Sequence, residues 1–185
     1  FGADDFVFAF VGKHVPFKRP MLLVAAAALA RQRGWPVKLL FAGSGDLTED
    51  LKRRAVELGV PVHFTGFLNQ TEMWRAYVPA DAFVLPSTNS ETWGLVTNEA
   101  MLFGLPVIVS DQVGCGPDLV IEGETGFVFS GGAEGLADAM AKLLMRRDSA
   151  KAMGAAGRRR VLEQYSMPVA TAGLKAALKA VSDAH

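Results

Sequence analysis

Short, continuous apolar runs alternate with longer stretches of helical periodicity, and that alternation restricts the chain more than any other feature. The runs are "FVFAFV" at Phe6–Val11, "VKLLFA" at Val37–Ala42, and the shorter segments Val62–Thr65, Ala82–Leu85, Val107–Val109 and Gly126–Phe129. Helical patterns are expected at Pro20–Arg33, Leu47–Leu58, Glu72–Tyr77 and Gly94–Phe103, then at Ala133–Leu144, Ser149–Gln164 and Pro168–Ser182. In the second of these, Leu47, Leu51, Ala55 and Leu58 share one side. A strand that is apolar on both faces has to be covered on both. The order therefore predicts an α/β fold, a Rossmann-like doubly wound parallel sheet of about six strands with helices on both faces. Its crossovers should be right-handed. Ligands of such sheets bind beyond the carboxyl ends of the strands.

Size and composition agree with one domain. The chain has 185 residues, half of them hydrophobic, enough for one well-packed core and too few for two large ones. Lys plus Arg equals Asp plus Glu at 19 each, so nothing in the balance favours nucleic acid or an anionic membrane surface. Any anion site must be a local arrangement. The single cysteine, Cys115, cannot form a disulfide within the chain, which fits a reducing cytoplasm. The longest apolar segment, "MLLVAAAALA" at Met21–Ala30, is too short for a bilayer and reads as a buried helix. The start, "FGADDFVFAF", lacks the features of a signal peptide and has no methionine, as expected for a piece of a longer protein.

Five loops leave strands and should crowd one edge: "GKHVPFKRP" from Gly12, "GSGDL" from Gly43, "TGFLNQ" from Thr65, "PSTNSETWG" from Pro86 and "SDQVGCGPD" from Ser110. The "GSGD" glycines allow backbone to approach a phosphate at a helix N-terminus. Equally, they fit an ordinary turn with Asp46 capping the helix. Neither G-x-G-x-x-G nor a P-loop is present. Lys13, Lys18 and Arg19 put three cations at the first strand exit, either to neutralise a diphosphate or as solvated surface charge. Glu91 and Glu99, separated by seven residues, bracket the change from loop to helix at Gly94. A carboxylate at Glu99 can accept from both hydroxyls of a ribose, or can pair on a helix surface. Glu91 precedes the helix, where its dipole favours an acid. Gly94 and the amides of Leu95 and Val96 would face the same cleft. His14, His63 and His185 are scattered, with no metal-ligand spacing. Asp111 and Asp118 flank "GCGP", where turn and capping roles are expected.

Taken in order, "FVGKHVPFKRP", "LLFAGSGDL", "VHFTGFL", "ADAFVLPSTNSETWGLVTNEAM", "GLPVIVSD" and "GETGFVF" cover nearly all of the chain. The set resembles the C-terminal, donor-binding domain of a GT-B fold glycosyltransferase of the "glycosyl transferases group 1" family. The resemblance implies one half of a GT-B fold, residues 1–185 forming a single nucleotide-sugar domain without the N-terminal acceptor domain. It implies that Glu99 holds the ribose. It places Glu91 against the donor sugar's hydroxyls as the candidate catalytic residue, with Gly94, Leu95 and Val96 facing sugar and diphosphate. Lys13 and Lys18 match the two basic positions that grip the diphosphate. Phe67 and Leu68 match the loop beside the nucleobase, and Gly12 and Gly43 keep backbone clear of the ligand. Two departures stand out: the family often has Arg at the position of Lys13 and Gly at the position of Arg19.

The implied activity is retaining transfer of a sugar from a nucleoside-diphosphate sugar, of UDP or GDP type, in glycan, polysaccharide or glycolipid synthesis. No cofactor or metal is implied. The implied partners are the nucleotide sugar and the protein's own N-terminal domain, without nucleic acid. Location is expected to be cytoplasmic or peripheral to the inner membrane face, any membrane contact being made through the absent domain. The competing readings are a related epimerase or phosphorylase, and a non-catalytic nucleotide-binding module. The chain alone is expected to bind donor and transfer nothing.

Overall fold

In β1 (Phe6–Val11) every residue is buried. Successive side chains of a strand point to opposite faces. Phe6, Phe8 and Phe10 therefore enter one core cluster, and Val7, Ala9 and Val11 enter another. The computed structural model describes Gly2 and residues 5–183. His185 lies outside the described residues.

Around β1 assemble β2 (Val37–Ala42), β3 (Val62–Gly66), β4 (Ala82–Leu85), β5 (Val107–Ser110) and β6 (Gly126–Phe129). All pair in parallel, in the order β3-β2-β1-β4-β5-β6. This is the expected doubly wound sheet of six strands. The chain winds outward from β1 to β3, returns, and winds the other way from β4 to β6. Loops after β1 and β4 therefore part in opposite directions and leave a crevice between them.

Helices α1 (Pro20–Gln32), α2 (Thr48–Glu57) and α6 (Gly132–Leu144) cover the phenylalanine face. Pro20 sits at the first position of α1, where its missing N–H costs nothing. The buried alanines Ala26, Ala27 and Ala30 let α1 lie close to the sheet. The valine face is covered by α4 (Leu95–Leu102) and two single turns, α3 (Trp74–Tyr77) and α5 (Gly116–Leu119). Helix α7 (Arg147–Gln164) passes beneath the amino ends of the strands. Its Arg147 donates to the Asp5 carbonyl, Gly154 lies against Gly104, and Arg160 donates to the Asp118 carbonyl. Helix α8 (Met167–Asp183) buries none of its residues.

Local departures from expectation have plain causes. The turn α5 and the 3-10 turns Pro16–Lys18 and Gln70–Glu72 are too short to show a period. Asp46 does not cap α2: Leu47 holds the cap position, with no side-chain cap bond. The Thr48 hydroxyl instead closes the "GSGD" loop, donating to the Gly45 carbonyl (2.7 Å) and accepting from the Gly45 amide (3.0 Å).

Gly43 is required by the contact between two strand exits. Its φ is +126°, and a Cβ there would run into the Gly12 carbonyl. We expect Gly43→Ala to combine left-handed strain with a backbone clash, together about 2 kcal/mol or more. For a domain of this size that lowers Tm by about 5 °C or more. A melting curve that superimposes on the wild type would contradict the close approach.

Candidate functional site

Two loops meet at the crevice between β1 and β4. From the β1 side, Lys18 ends a 3-10 turn and Arg19 follows it. From the β4 side come Pro86, Ser87 and Glu91. Lys18 Nζ lies 2.5 Å from Glu91 Oε2, and each side chain keeps 15% of its exposure. Ser87 Oγ donates to the same carboxylate oxygen (3.1 Å). The Lys18 stem runs over Gly12, where a Cβ would stand 3.2 Å from Lys18 Cδ. The bare face of Gly12 thus makes room for Lys18.

Arg19 is turned inward and is not one of the free cations of this edge. Its Nε donates to the Pro86 carbonyl (2.5 Å), and its Nη2 donates to Ser110 Oγ (2.9 Å) and the Ser87 carbonyl (3.4 Å). One guanidinium therefore ties the exits of β1, β4 and β5 together. Burial lowers its pKa from the usual value, and the charge of Asp111 opposes that shift. The backbone of Arg19 has φ +47°, the only non-glycine with positive φ among the described residues. A left-handed conformation explains why glycine suits this position; here the three hydrogen bonds offset the strain of an L side chain.

Beside the crevice, Gly94 holds the cap position before helix α4, with a φ of +93°. A Cβ on Gly94 would stand 2.6 Å from Leu85 Cδ2 at the end of β4. Leu95 and Val96 open the helix, where amides lack intrahelical partners and the dipole is positive. Leu95 is 69% exposed. Glu91 thus stands before a helix N-terminus, with its carboxylate committed to Lys18 and Ser87.

The remaining candidates occupy two hollows. A cavity of 520 Å³ beyond the carboxyl ends of β1 to β3 is lined by Gly12, Lys13, Gly43, Asp46, Phe67 and Leu68, among others. Lys13 is exposed, Leu68 is buried, and Phe67 is 79% exposed at the rim. Glu99 lies instead in a 230 Å³ hollow with Gln70, Thr71, Trp74, Tyr77 and Phe103, where it accepts from the Tyr77 hydroxyl (2.9 Å). Met73 borders both hollows. The structure therefore gathers Lys18, Glu91 and Gly94 at the crevice and places Gly12, Lys13, Phe67 and Leu68 on one flank. Glu99 is on another flank. The sequence reading did not single out Met73, Tyr77 or Ser87, because nothing in their spacing distinguishes them from core or loop.

His14 underlies the flank formed by the exits of β1 and β2. It is fully buried among Phe10, Phe41 and Phe64. Its backbone N–H donates to the Ser44 carbonyl and its carbonyl accepts from the Leu47 amide. The Thr48 hydroxyl gives its one proton to Gly45, so at 2.9 Å it accepts from His14 Nδ1. The bare nitrogen is then Nε2, which has no partner among the described residues. Burial lowers the His14 pKa from its usual value. His63 is exposed on β3. Among the described residues, no group of three or more His, Cys, Asp or Glu side chains is placed to hold a metal ion.

Fold and site together define a Rossmann-like α/β domain with its charged cluster at the switch point of the sheet. The chain belongs to the glycosyltransferase family described as "Glycosyl transferases group 1", whose sequence profile matches residues 1–160. It is 38% identical over 142 residues to a sulfoquinovosyl transferase, SQD2, of Arabidopsis thaliana, covering 75% of this chain and 27% of that protein. It is 37% identical over 160 residues to a GDP-mannose-dependent alpha-(1-6)-phosphatidylinositol monomannoside mannosyltransferase of Mycobacterium tuberculosis (strain CDC 1551 / Oshkosh), covering 82% and 41%. The chain thus spans less than half the length of these relatives. Its fold matches that of Anabaena Alr3699/HepE in complex with UDP and glucose, with a TM-score of 0.81 at 24% identity, covering 97% of this chain and 49% of that one.

The buried histidine generates a prediction about pH. Its folded pKa lies below its unfolded value of about 6.5, so below that pH the unfolded state binds more protons. Stability should therefore fall as pH drops through about 6.5 and level off below the folded pKa. His14→Phe removes the proton site and keeps an aromatic ring; Thr48 retains both bonds to Gly45. Melting temperatures followed from pH 7.5 to 5 should fall less in this variant than in the wild type. Parallel curves would show that His14 does not titrate differently on folding.

Proposed function

We propose that this chain is the donor half of a retaining glycosyltransferase that takes its sugar from a nucleoside-diphosphate sugar of UDP or GDP type. The Lys18–Glu91 pair across the switch point is the observation that carries the reading. A lysine and a glutamate share one crevice beside a helix N-terminus, where a diphosphate and a sugar would meet. In this reading Lys18 and Lys13 bind the diphosphate, with the amides of Leu95 and Val96 behind them. Glu91 meets the sugar's hydroxyls, and Glu99 accepts from the ribose. Phe67 and Leu68 flank the nucleobase, next to the 520 Å³ cavity. No metal is assigned to the transfer.

The free site is self-neutralised, and that adds a step to binding. A diphosphate competes with Glu91 for Lys18. Glu91, once released, becomes an acceptor for sugar hydroxyls while the phosphates hold the lysine. The bare diphosphate gains only the first half of this exchange.

The acceptor belongs to the other half of the protein. Less than half of each curated relative is spanned, and α8 leaves Met167, Leu174, Leu178 and Val181 exposed. We assign that apolar side to contact with the N-terminal domain, which would close the cleft. Among the described residues, no helix is long and apolar enough to cross a membrane. Membrane contact, if the acceptor is a lipid, falls to the N-terminal domain.

Calorimetry with UDP, GDP, the matching nucleosides and UDP-glucose or GDP-mannose tests the exchange. Lys18→Ala should weaken diphosphates by about tenfold or more and leave nucleosides nearly unchanged. Glu91→Gln frees the lysine, so it should bind the bare diphosphate at least as tightly as wild type and the sugar nucleotide more weakly. Equal losses for bare diphosphate and sugar nucleotide in Glu91→Gln would refute the assignment of this residue to the sugar.

A further inference from the structure

Glu99 does not stand free in its hollow. Tyr77 is 1% exposed, and its hydroxyl lies 2.9 Å from Glu99 Oε2. Its ring is fixed from two sides, stacked on Phe103 at 5.0 Å and 27° and edge-on to Phe83 at 6.2 Å and 63°. Phe103 follows the last turn of α4, the helix that carries Glu99. The phenol and the carboxylate are thus held by one packed unit.

We propose that Tyr77 is a positioning residue for Glu99, its buried hydroxyl pinning one carboxylate oxygen so that the other is presented to the ribose hydroxyls of the nucleotide. This rests on the assignment of Glu99 to the ribose given above. An ionised carboxylate only accepts, so the phenol must be the donor. Burial first, then the charge of Glu99 and the bond to it, raise the Tyr77 pKa far above its usual value, which keeps the proton on the phenol. Each carboxylate oxygen has two lone pairs. Tyr77 therefore occupies one acceptor site and leaves Oε1 whole. A free glutamate would have to give up its rotamer freedom on binding; this one gives it up on folding.

The test is a cycle of variants in the full-length protein, titrated by calorimetry with UDP and GDP and with their 2′-deoxy and 3′-deoxy forms. Tyr77→Phe keeps the ring and its stacking. It should weaken the ribonucleotide by about three- to tenfold, and the deoxy forms less, so the ribose preference shrinks. In a Glu99→Ala background, Tyr77→Phe should cost nothing more. Phe103→Leu, which loosens the stacking on the ring and leaves the hydroxyl, should lower the ribose preference less than Tyr77→Phe does. Losses that add in the double variant would mean that Tyr77 acts through the core and would overturn the proposal. Full affinity in Tyr77→Phe beside a weakened Glu99→Ala would also overturn it, leaving Glu99 at the ribose. Full affinity in Glu99→Ala would remove the ribose assignment, and the positioning role with it.

Discussion

The exits of β1 and β4 are bound to one another, and the polar edge of the domain depends on that junction. Doubly wound topology sends the two loops apart. Here Lys18 reaches Glu91, and the Thr88 amide donates to the Phe17 carbonyl. The Arg19 guanidinium donates to Pro86, Ser87 and Ser110. These bonds set the distance between a basic and an acidic side chain before any ligand arrives. The Lys18–Glu91 contact is partly buried, so it is screened less than a surface pair. In the function proposed above the pair is exchanged, a phosphate taking the place of the carboxylate and a sugar hydroxyl that of the ammonium.

The two ends of the sheet are built for different ends. Beneath the amino ends lies a hollow of 650 Å³, bounded by Phe6, Asp81, Pro106, Arg147 and Lys151. It is the gap between the strands and α7, and its charges are of both signs. Beyond the carboxyl ends, α4 and α2 point their N-termini outward, Lys13 is exposed, and five loops converge. Helix N-termini and the exposed Lys13 favour an anion there.

Much of this was legible in the sequence, for definable reasons. Apolar runs such as "FVFAFV" and "VKLLFA", alternating with longer helical patterns, read as strands covered on both faces, so the sheet and its helices followed. Gly94 between Glu91 and Glu99 marked the start of α4, and the helix begins one residue later. What stayed hidden involves contacts between residues far apart in the chain. Arg19 looked like a third cation for a diphosphate, yet its partners are 67 to 91 residues away. Tyr77 stood only at the end of an expected short helix, and its hydroxyl meets Glu99, 22 residues further along the chain. Asp46 had the right residue type for a cap, but Thr48 closes the loop instead.

The central claim is that the carboxyl-end loops, held by the β1–β4 junction, receive a nucleoside diphosphate. Hydrogen exchange of the full-length protein with and without saturating UDP or GDP tests it most directly. The account predicts slowed exchange in the segments 12–19, 43–46 and 91–97, with little change around Asp81, Pro106 and Arg147. Protection confined to the amino-end hollow, with the loops at 12–19 and 91–97 exchanging as in the free protein, would contradict it.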